Sequence, residues 1–491
     1  MSFIIRFTAT PLQGRGRLGS RRAFRPMARR WVMVVPMLAA VVSPSLALAQ
    51  RDSAVIGSTI LDARSAAGGT ELDALVATAL TRSPTVRAAS ARVLGARHRA
   101  EAASAPPDPM LMAGIQNQPL GSGPASMAVG GPEPMTMRMI GVSQAIPYPG
   151  KLALRRRVAE REAEAAEAAV ETARRLVARD VKQAYYEIAF IDHARRVVDR
   201  NRDVLASVIH ITDVRYGLGT LGQTEVLKAR LDGTRLAQAA SDLAEQRNAT
   251  LARLSALLDA PIDTGALRPV VPDRIARFVM PEAPDDIRFT SNVLGSRAAG
   301  SPLPPLAELQ EAALASSPEL REHEAMISAQ AARVELARTD RLPDVDVSVQ
   351  YGQRGGGLPD MVSATVSVPL PIFARRKQDQ LSGDASAQLE ALHAEHQAAA
   401  NTLRADVASL VSEIERARTQ LALYAKALVP QGRAMLTSAI ASYQVGKGEL
   451  RDVLDAQASL FTYETDNARA LADFAKQLAE LERVVGTEVV R

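Results

Sequence analysis

Cysteine is absent from this sequence of 491 residues, and aromatic residues make up only 4% of it. Without cysteine the mature protein has no disulfide bridges, no thiolate metal site and no acylated amino-terminal cysteine. A hydrophobic content of 47% with so few aromatic side chains indicates a core formed between long packed helices. Beyond residue 50 no stretch reaches the roughly 18 consecutive apolar residues that a membrane helix needs. Any part of the mature chain inside a membrane is therefore expected to consist of strands.

The excess of positive charge is confined to the first 50 residues. The whole chain carries +5, but residues 1–50 hold eight arginines and no acidic residue, and without them 59 − 8 = 51 basic residues face 54 acidic ones, a net charge of −3. The arginines precede an apolar stretch at residues 31–42 and the sequence Ala47-Leu48-Ala49, an order typical of a secretory signal peptide. We therefore predict a signal peptide at residues 1–49 and no nucleic-acid partner.

The rest of the chain contains one unit twice. Tyr216 and Gly219 stand 227 positions before Tyr443 and Gly446, and the Ser-Pro pair at residues 83–84 recurs at residues 317–318. We predict a first repeat at residues 50–260, a linker rich in proline and alanine at residues 261–305, and a second repeat at residues 306–491.

Each repeat contains a segment with the alternation of a strand. Val345, Val347 and Val349 alternate with polar residues, as do Val362, Val366 and Val368 further on. This pattern predicts β-hairpins at about 109–147 and 343–371. Four strands of about ten residues match the length of membrane-spanning strands, but about eight strands are the minimum for a closed barrel. Because open sheet edges are prohibitive in lipid, we expect several chains to share one barrel.

Long helical hairpins follow the strands, at about 151–258 and 374–485. Their outgoing helices are predicted at about 151–215 and 374–442, and at 1.5 Å per residue such a helix is about 100 Å long. Apolar residues alternate at spacings of four and three, as in coiled coils. In the second repeat they are Leu403, Val407, Leu410, Ile414, Ala417, Leu421, Tyr424 and Leu428, and then Leu471, Phe474, Leu478, Leu481 and Val485. The fold class is therefore mainly α with a small β part.

Glycines mark the turns at the tips of the two hairpins: Gly219, Gly222, Gly446 and Gly448. They suit a helix end and a tight reversal, where φ becomes positive. Asp452 and Asp455 come directly after the second turn, three positions apart and so on one face of the returning helix. Taken alone, they are acidic residues of the kind that the dipole favours at any helix amino terminus.

This order of elements, with the sequence from Val445-Gly446 to Asp452-Val453-Leu454-Asp455-Ala456, resembles the TolC-like outer-membrane efflux channel family. The resemblance implies a homotrimer in which three chains give four strands each to a twelve-stranded barrel in outer-membrane lipid, above a periplasmic α-barrel. Asp452 and Asp455 would line its constricted entrance. It also implies a periplasmic adaptor and an inner-membrane pump of the RND type as partners, and no cofactor.

The methionines of the first β-hairpin lead to a hypothesis about which solute such a channel would export. The repeat offsets predict that Leu111, Ala113, Ile115, Ile140 and Val142 face lipid. Facing the lumen would be Met110, Met112, Met135, Met137 and Met139. Thioethers suit soft ions such as Cu(I) or Ag(I). A register error of one residue would reverse the assignment, and Arg138 would then no longer face outward. The segment 135–151 also resembles the heavy-metal branch of the family, so we expect heavy-metal efflux, with drug efflux or type I protein secretion as alternatives.

No pattern indicates an enzyme. His393 and His396 lie on one side of a predicted helix and could share a metal, but the sequence offers no third ligand nearby. His323-Glu324 lacks the second histidine of a zinc-protease motif, because residue 327 is isoleucine. A periplasmic coiled-coil adaptor is a further alternative. Adaptors have one long hairpin flanked by small β domains, whereas this chain has two hairpins and paired strands.

Overall fold

The computed structural model describes residues 71–117, 136–263, 267–271, 275, 303–354 and 358–489, all within one compact unit of residues 54–491. The predicted signal peptide, most of the linker and Met135 lie outside the described residues. Among the residues that the structure describes, none of the helices is long and apolar enough to cross a membrane.

Each repeat begins with two short helices. These are α1 (Glu71–Arg82) and α2 (Pro84–Ala103) in the first repeat, and α5 (Leu306–Ser316) and α6 (Pro318–Thr339) in the second. Both pairs are broken at a Ser-Pro sequence, because proline is tolerated in the first turn of a helix but not in its interior. Ser317 also caps α6, since its hydroxyl accepts a hydrogen bond of 3.2 Å from the backbone of Leu320.

The four strands form one antiparallel sheet in the order β1-β2-β3-β4. Their bounds are β1 Met110–Gln116, β2 Met137–Ile146, β3 Val345–Arg354 and β4 Met361–Ser367. Residues directly opposite one another share a face. One face is apolar and carries Leu111, Ala113, Ile115, Ile140, Val142, Val347, Val349, Tyr351, Val362, Ala364 and Val366. The other face carries glycines, polar residues and the methionines, so the sheet has one apolar and one polar face.

Two long helical hairpins complete the repeats. In the first, α3 (Lys151–Gly217) runs for 67 residues and α4 (Gln223–Leu258) returns. In the second, the helix predicted as continuous is divided into α7 (Gln378–Leu423), a π-helical turn (Tyr424–Leu428) and α8 (Val429–Gln444), before α9 (Leu450–Val485) returns. The π turn ends two residues before Pro430, whose ring and missing N–H disrupt the regular hydrogen bonding of a helix.

The two repeats share their core around α3. This helix packs against α1, α2 and α4 of its own repeat and against α6 and α9 of the other. Residues of both repeats, among them Val181, Ile188, Leu254, Val407 and Phe474, form one buried apolar cluster. Ion pairs flank the contact of α3 with α9, including Arg179 with Glu480 at 3.1 Å and Lys182 with Glu482 at 2.7 Å. The repeats are therefore halves of one folded unit.

A buried lysine joins the first long helix to the second hairpin of strands. Lys151, the first residue of α3, is 3% exposed, and its Nζ donates 2.9 Å hydrogen bonds to Asp344 and to the carbonyl of Leu342. Burial opposes ionisation of Asp344, but the bond and charge of Lys151 and a bond from the Tyr148 amide outweigh it and lower the pKa of Asp344. This ion pair fixes the end of the sheet to the helices below it.

Candidate functional site at the hairpin tips

The tips are formed by two turns that have the same backbone conformation at a glycine. Gly219 has φ +73° and Gly446 has φ +75°, in the left-handed region that glycine adopts without steric cost. After Gly446, the amides of Lys447 and Gly448 donate to the carbonyl of Ser442 at 2.9 and 3.1 Å. Both turns therefore end a long helix and reverse the chain within a few residues.

The other two predicted glycines act differently. A side chain at Gly448 would be crowded, because a Cβ would lie 3.1 Å from Ser442 Cβ and 3.2 Å from the Tyr443 nitrogen. Gly222 precedes α4 with φ −81°, and a Cβ there would meet nothing within 4 Å. Only three of the four glycines thus have a conformational or steric reason to be glycine.

Tyr443 anchors the second tip to the first repeat. Its side chain is 1% exposed, and its hydroxyl lies 3.0 Å from Thr212 Oγ1. Thr212 donates its own proton to the carbonyl of Val208 at 2.8 Å, so Tyr443 donates to Thr212. The guanidinium of Arg215 lies over the ring, 4.8 Å from its centre, and donates to the Tyr443 carbonyl at 3.3 Å. Spacing alone did not indicate Thr212 or Arg215, but their counterparts in the second repeat, Ala439 and Ser442, show where the repeats diverge.

Asp452 and Asp455 lie in the first turns of α9, as their spacing predicts. Both are exposed, beside the buried Val453 and Ala456 that hold α9 in the tip core. Asp455 forms an ion pair of 3.5 Å with Arg451, and both side chains are exposed. One chain thus presents two solvated carboxylates at its tip.

Further from the tip in the same hairpin, a buried glutamate joins the two repeats. The Glu464 side chain is 9% exposed and accepts hydrogen bonds from Arg433 of α8 at 2.6 Å and from Arg200 of α3 at 3.2 Å. Burial raises the pKa of Glu464, but the bonds and charges of the two arginines outweigh it and hold the pKa below its ordinary value. The sequence pattern gave no sign of this contact, because the three residues lie on three different helices.

The sheet places four of the five predicted methionines on its polar face. Met112 pairs with Gly141, and Met137 and Met139 pair with Arg354 and Gly352 of β3. A Cβ at Gly352 would lie 3.0 Å from Met137 Sδ and 3.8 Å from Met139 Cγ, so these two side chains cover the glycine. Met361, which the repeat offsets do not indicate, lies opposite Gly352 on β4. Arg138 lies on the apolar face, at the end of the sheet near the hairpin loops.

One histidine of the predicted pair His393 and His396 lies near a third histidine on another helix. His323 of α6 and His396 of α7 have ring centres 6.3 Å apart. Within the described parts of the chain, no group of three or more histidine, cysteine, aspartate or glutamate side chains could hold a metal ion.

Comparison with known proteins decides the family. The sequence model named Outer membrane efflux protein matches residues 75–260 and 309–487. The chain belongs to this family. It is an outer-membrane channel of a tripartite efflux system that extends into the periplasm, and it is not an enzyme, as predicted.

Three relatives show how distant the similarities are. The cobalt-zinc-cadmium resistance protein CzcC of Cupriavidus metallidurans is 22% identical over 93% of this chain and 100% of its own length. The pyoverdine export outer membrane protein OpmQ of Pseudomonas putida is 24% identical, with coverages of 81% and 82%. The structure of the outer-membrane channel OprN has a TM-score of 0.66 at 17% identity, covering 86% of this chain and 91% of that one. The predicted fold, with its long helices and four strands, is thereby confirmed.

Proposed function

We propose that three copies of this chain form the exit duct of an efflux system for heavy-metal cations, served by a periplasmic adaptor and an inner-membrane pump of the RND type. The four strands of each copy would form one third of a twelve-stranded barrel. Lipid would contact the apolar face of the sheet, which includes Leu111, Val142, Val349 and Val366, all at least half exposed in the single chain. A free chain would leave that surface in water, which favours insertion in a membrane.

The observation that supports a heavy-metal cargo is the presence of methionine sulfur atoms on the polar face of the sheet. Met110, Met112, Met137 and Met139 share it with glycine, glutamine and serine, and this face would line the lumen. Thioethers are ligands for soft ions such as Cu(I) and Ag(I) and contribute little to a water-filled passage otherwise. The relative CzcC, named for resistance to cobalt, zinc and cadmium, supports the same class of cargo.

The entrance would be acidic. With three copies, Asp452 and Asp455 would form two stacked rings of three carboxylates, which attract cations and repel one another. Opening the entrance would relieve that repulsion. The counterparts in the first repeat are Glu225 and Lys228, so only the second repeat would present an uninterrupted acidic ring.

Growth of a deletion strain on metals and drugs tests the cargo. We expect increased sensitivity to copper, silver, zinc, cobalt or cadmium salts, restored by the wild-type chain. A variant with leucine at Met110, Met112, Met137 and Met139 should restore tolerance to zinc but less tolerance to silver, because leucine keeps the volume and removes the sulfur. Sensitivity to antibiotics or detergents alone would instead support the drug-efflux alternative.

A further inference from the structure

Two histidines from different helices come together between α6 and α7. We propose that His323 of α6 and His396 of α7, together with the thioether of Met326, bind a soft monovalent cation such as Ag(I) or Cu(I). These helices carry neither the polar face of the sheet nor the tip aspartates. The site therefore goes beyond the proposed function and does not depend on which solute the duct exports.

The packing of α6 on α7 fixes the register of this site. The ring centres of His323 and His396 are 6.3 Å apart. Seven residues further along α6, the side-chain amide of Gln330 donates to the Ala385 carbonyl at 3.0 Å and to Gln388 Oε1 at 3.2 Å. Because positions advance along α6 while they decrease along α7, the two helices are antiparallel, and His323 lies level with His396.

A sulfur donor lies on the same face of α6. Met326 follows His323 by three residues and precedes Gln330 by four, so all three side chains project from the side of α6 that meets α7. The Met326 side chain is 38% exposed, which leaves its thioether open to an ion. The face that meets α7 thus offers an imidazole and a thioether one turn apart.

His396 occupies a position where an apolar residue is expected. It precedes Leu403 by seven residues and Leu410 by fourteen, so it continues the coiled-coil stripe of α7. Its Nδ1 atom is buried and has no hydrogen-bond partner in the part of the chain that the structure describes. A buried polar atom without a partner costs free energy. A cation bound at this ring would compensate that cost.

The separation of the two rings fits a single ion between them. With metal–nitrogen bonds of about 2.0–2.1 Å and an imidazole radius of about 1.2 Å, two rings that coordinate from opposite sides have centres about 6.4 Å apart. The observed distance is 6.3 Å, and the ring planes are inclined by 65°. Linear coordination permits this inclination, because rotation about a metal–nitrogen bond does not change the distance between the rings.

The donor set favours a soft ion over zinc. Zinc sites in proteins take three or four ligands from cysteine, histidine and carboxylates, and the described residues supply no such group of three or more. Two imidazoles and a thioether suit Cu(I) or Ag(I), which accept few ligands and bind methionine sulfur. An ion held here would join α6 to α7.

Titration of the purified full-length protein with Ag(I) in chloride-free detergent solution tests the site. We expect one tight silver site per chain, above weaker binding at the other methionines. H323Q and H396Q should each weaken the tight site more than about tenfold, because even the outer-shell partners of metal ligands are usually worth about 10–100-fold in affinity. The double variant should lose no more than either single variant, and M326L should have a smaller effect.

H393Q is the matched control. His393 lies one turn before His396 on the same helix and is exposed, so its replacement should leave the tight site unchanged. Wild-type affinity in both H323Q and H396Q would overturn the proposal, as would tighter binding of Zn(II) than of Ag(I). Loss of the site in H393Q but not in H323Q would instead assign the metal to the two histidines of one helix.

Chemical modification of the wild type gives a second measurement that needs no variant. Silver should protect His323 and His396 from diethyl pyrocarbonate, while His393 continues to react, and equal protection of all three or of none would contradict the site. Growth of the deletion strain separates this site from the proposed function. Silver binding without any contribution to metal tolerance contradicts the cargo alone, whereas metal tolerance without silver binding contradicts this site alone.

Discussion

Tyr443 and Tyr216 occupy equivalent positions in the two repeats but have opposite surroundings. Tyr443 is buried and its hydroxyl forms a hydrogen bond with Thr212, while Tyr216 is 47% exposed. We expect Tyr443→Phe to lower the free energy of unfolding by about 1 kcal/mol, because a buried hydrogen bond is lost. Tyr216→Phe should change it by less than about 0.5 kcal/mol, as is usual at exposed positions. Denaturant unfolding of both variants in detergent checks this, and equal losses would contradict the assigned anchor.

For single residues, the sequence predicts those features that depend only on neighbouring positions in the chain. The positions of Asp452 and Asp455 in the first two turns of α9 and the positive φ of Gly219 and Gly446 follow from spacing and residue type within a few positions. The partners Thr212 and Arg215 could not be predicted, because their contact with Tyr443 spans more than 200 residues. The sequence predicts a need for backbone freedom at Gly448, but φ there is not positive, and the structure shows instead that a side chain would be crowded.

Among the elements, α3, α8 and α9 are joined by Glu464 and its two arginines, and this junction is sensitive to acid. The folded-state pKa of Glu464 is lowered from the ordinary value of 4.5. Its contribution to stability is therefore fully present above that value and is lost as the pH falls through the lowered folded-state pKa. The wild type should lose stability in this acidic range through protonation of Glu464.

Glu464→Gln separates this carboxylate from the others. The variant should be less stable than the wild type at pH 7 by about 1.5–3 kcal/mol, the usual worth of hydrogen bonds to a charged group, and the difference should shrink towards pH 3. Glu245→Gln, at an exposed position of α4, serves as the control and should show neither effect. Thermal unfolding at several pH values measures both, and a difference that does not depend on pH would contradict the assignment.

The types of the elements were predictable from the sequence, but some of their limits were not. Both Ser-Pro breaks and all four strands lie where alternation and proline placed them. The π turn at Tyr424–Leu428 was not predicted, since the heptad pattern continues through it. The apolar spacing records which face is buried, whereas the extra residue of a π turn depends on how the backbone accommodates Pro430.

For the whole molecule, the duplication is the most informative feature of the sequence. It indicated two equivalent halves, and the structure shows these halves packed around α3. The number of copies in the assembly cannot be predicted from any single residue. A four-stranded sheet shows only that its edges need partners. The cargo is still less accessible to sequence reasoning, since a duct can pass a solute without a dedicated binding site.

The acidic entrance exists only in the assembly, so it must be tested there. We expect D452A/D455A to raise single-channel conductance and to lower the preference for cations, because the shorter side chains leave a wider and uncharged opening. E225A/K228A changes the counterparts in the first repeat and should alter both quantities much less. Unchanged conductance and selectivity in the aspartate variant would contradict the gate.

The central claim is that three copies enclose one cation-attracting duct, and the reversal potential of the purified wild-type trimer in a planar bilayer tests it most directly. Under a potassium chloride gradient we predict discrete conductance steps of a single size, with a reversal potential shifted towards the value for potassium. Trimers that insert without conducting, or that prefer chloride, would contradict the account.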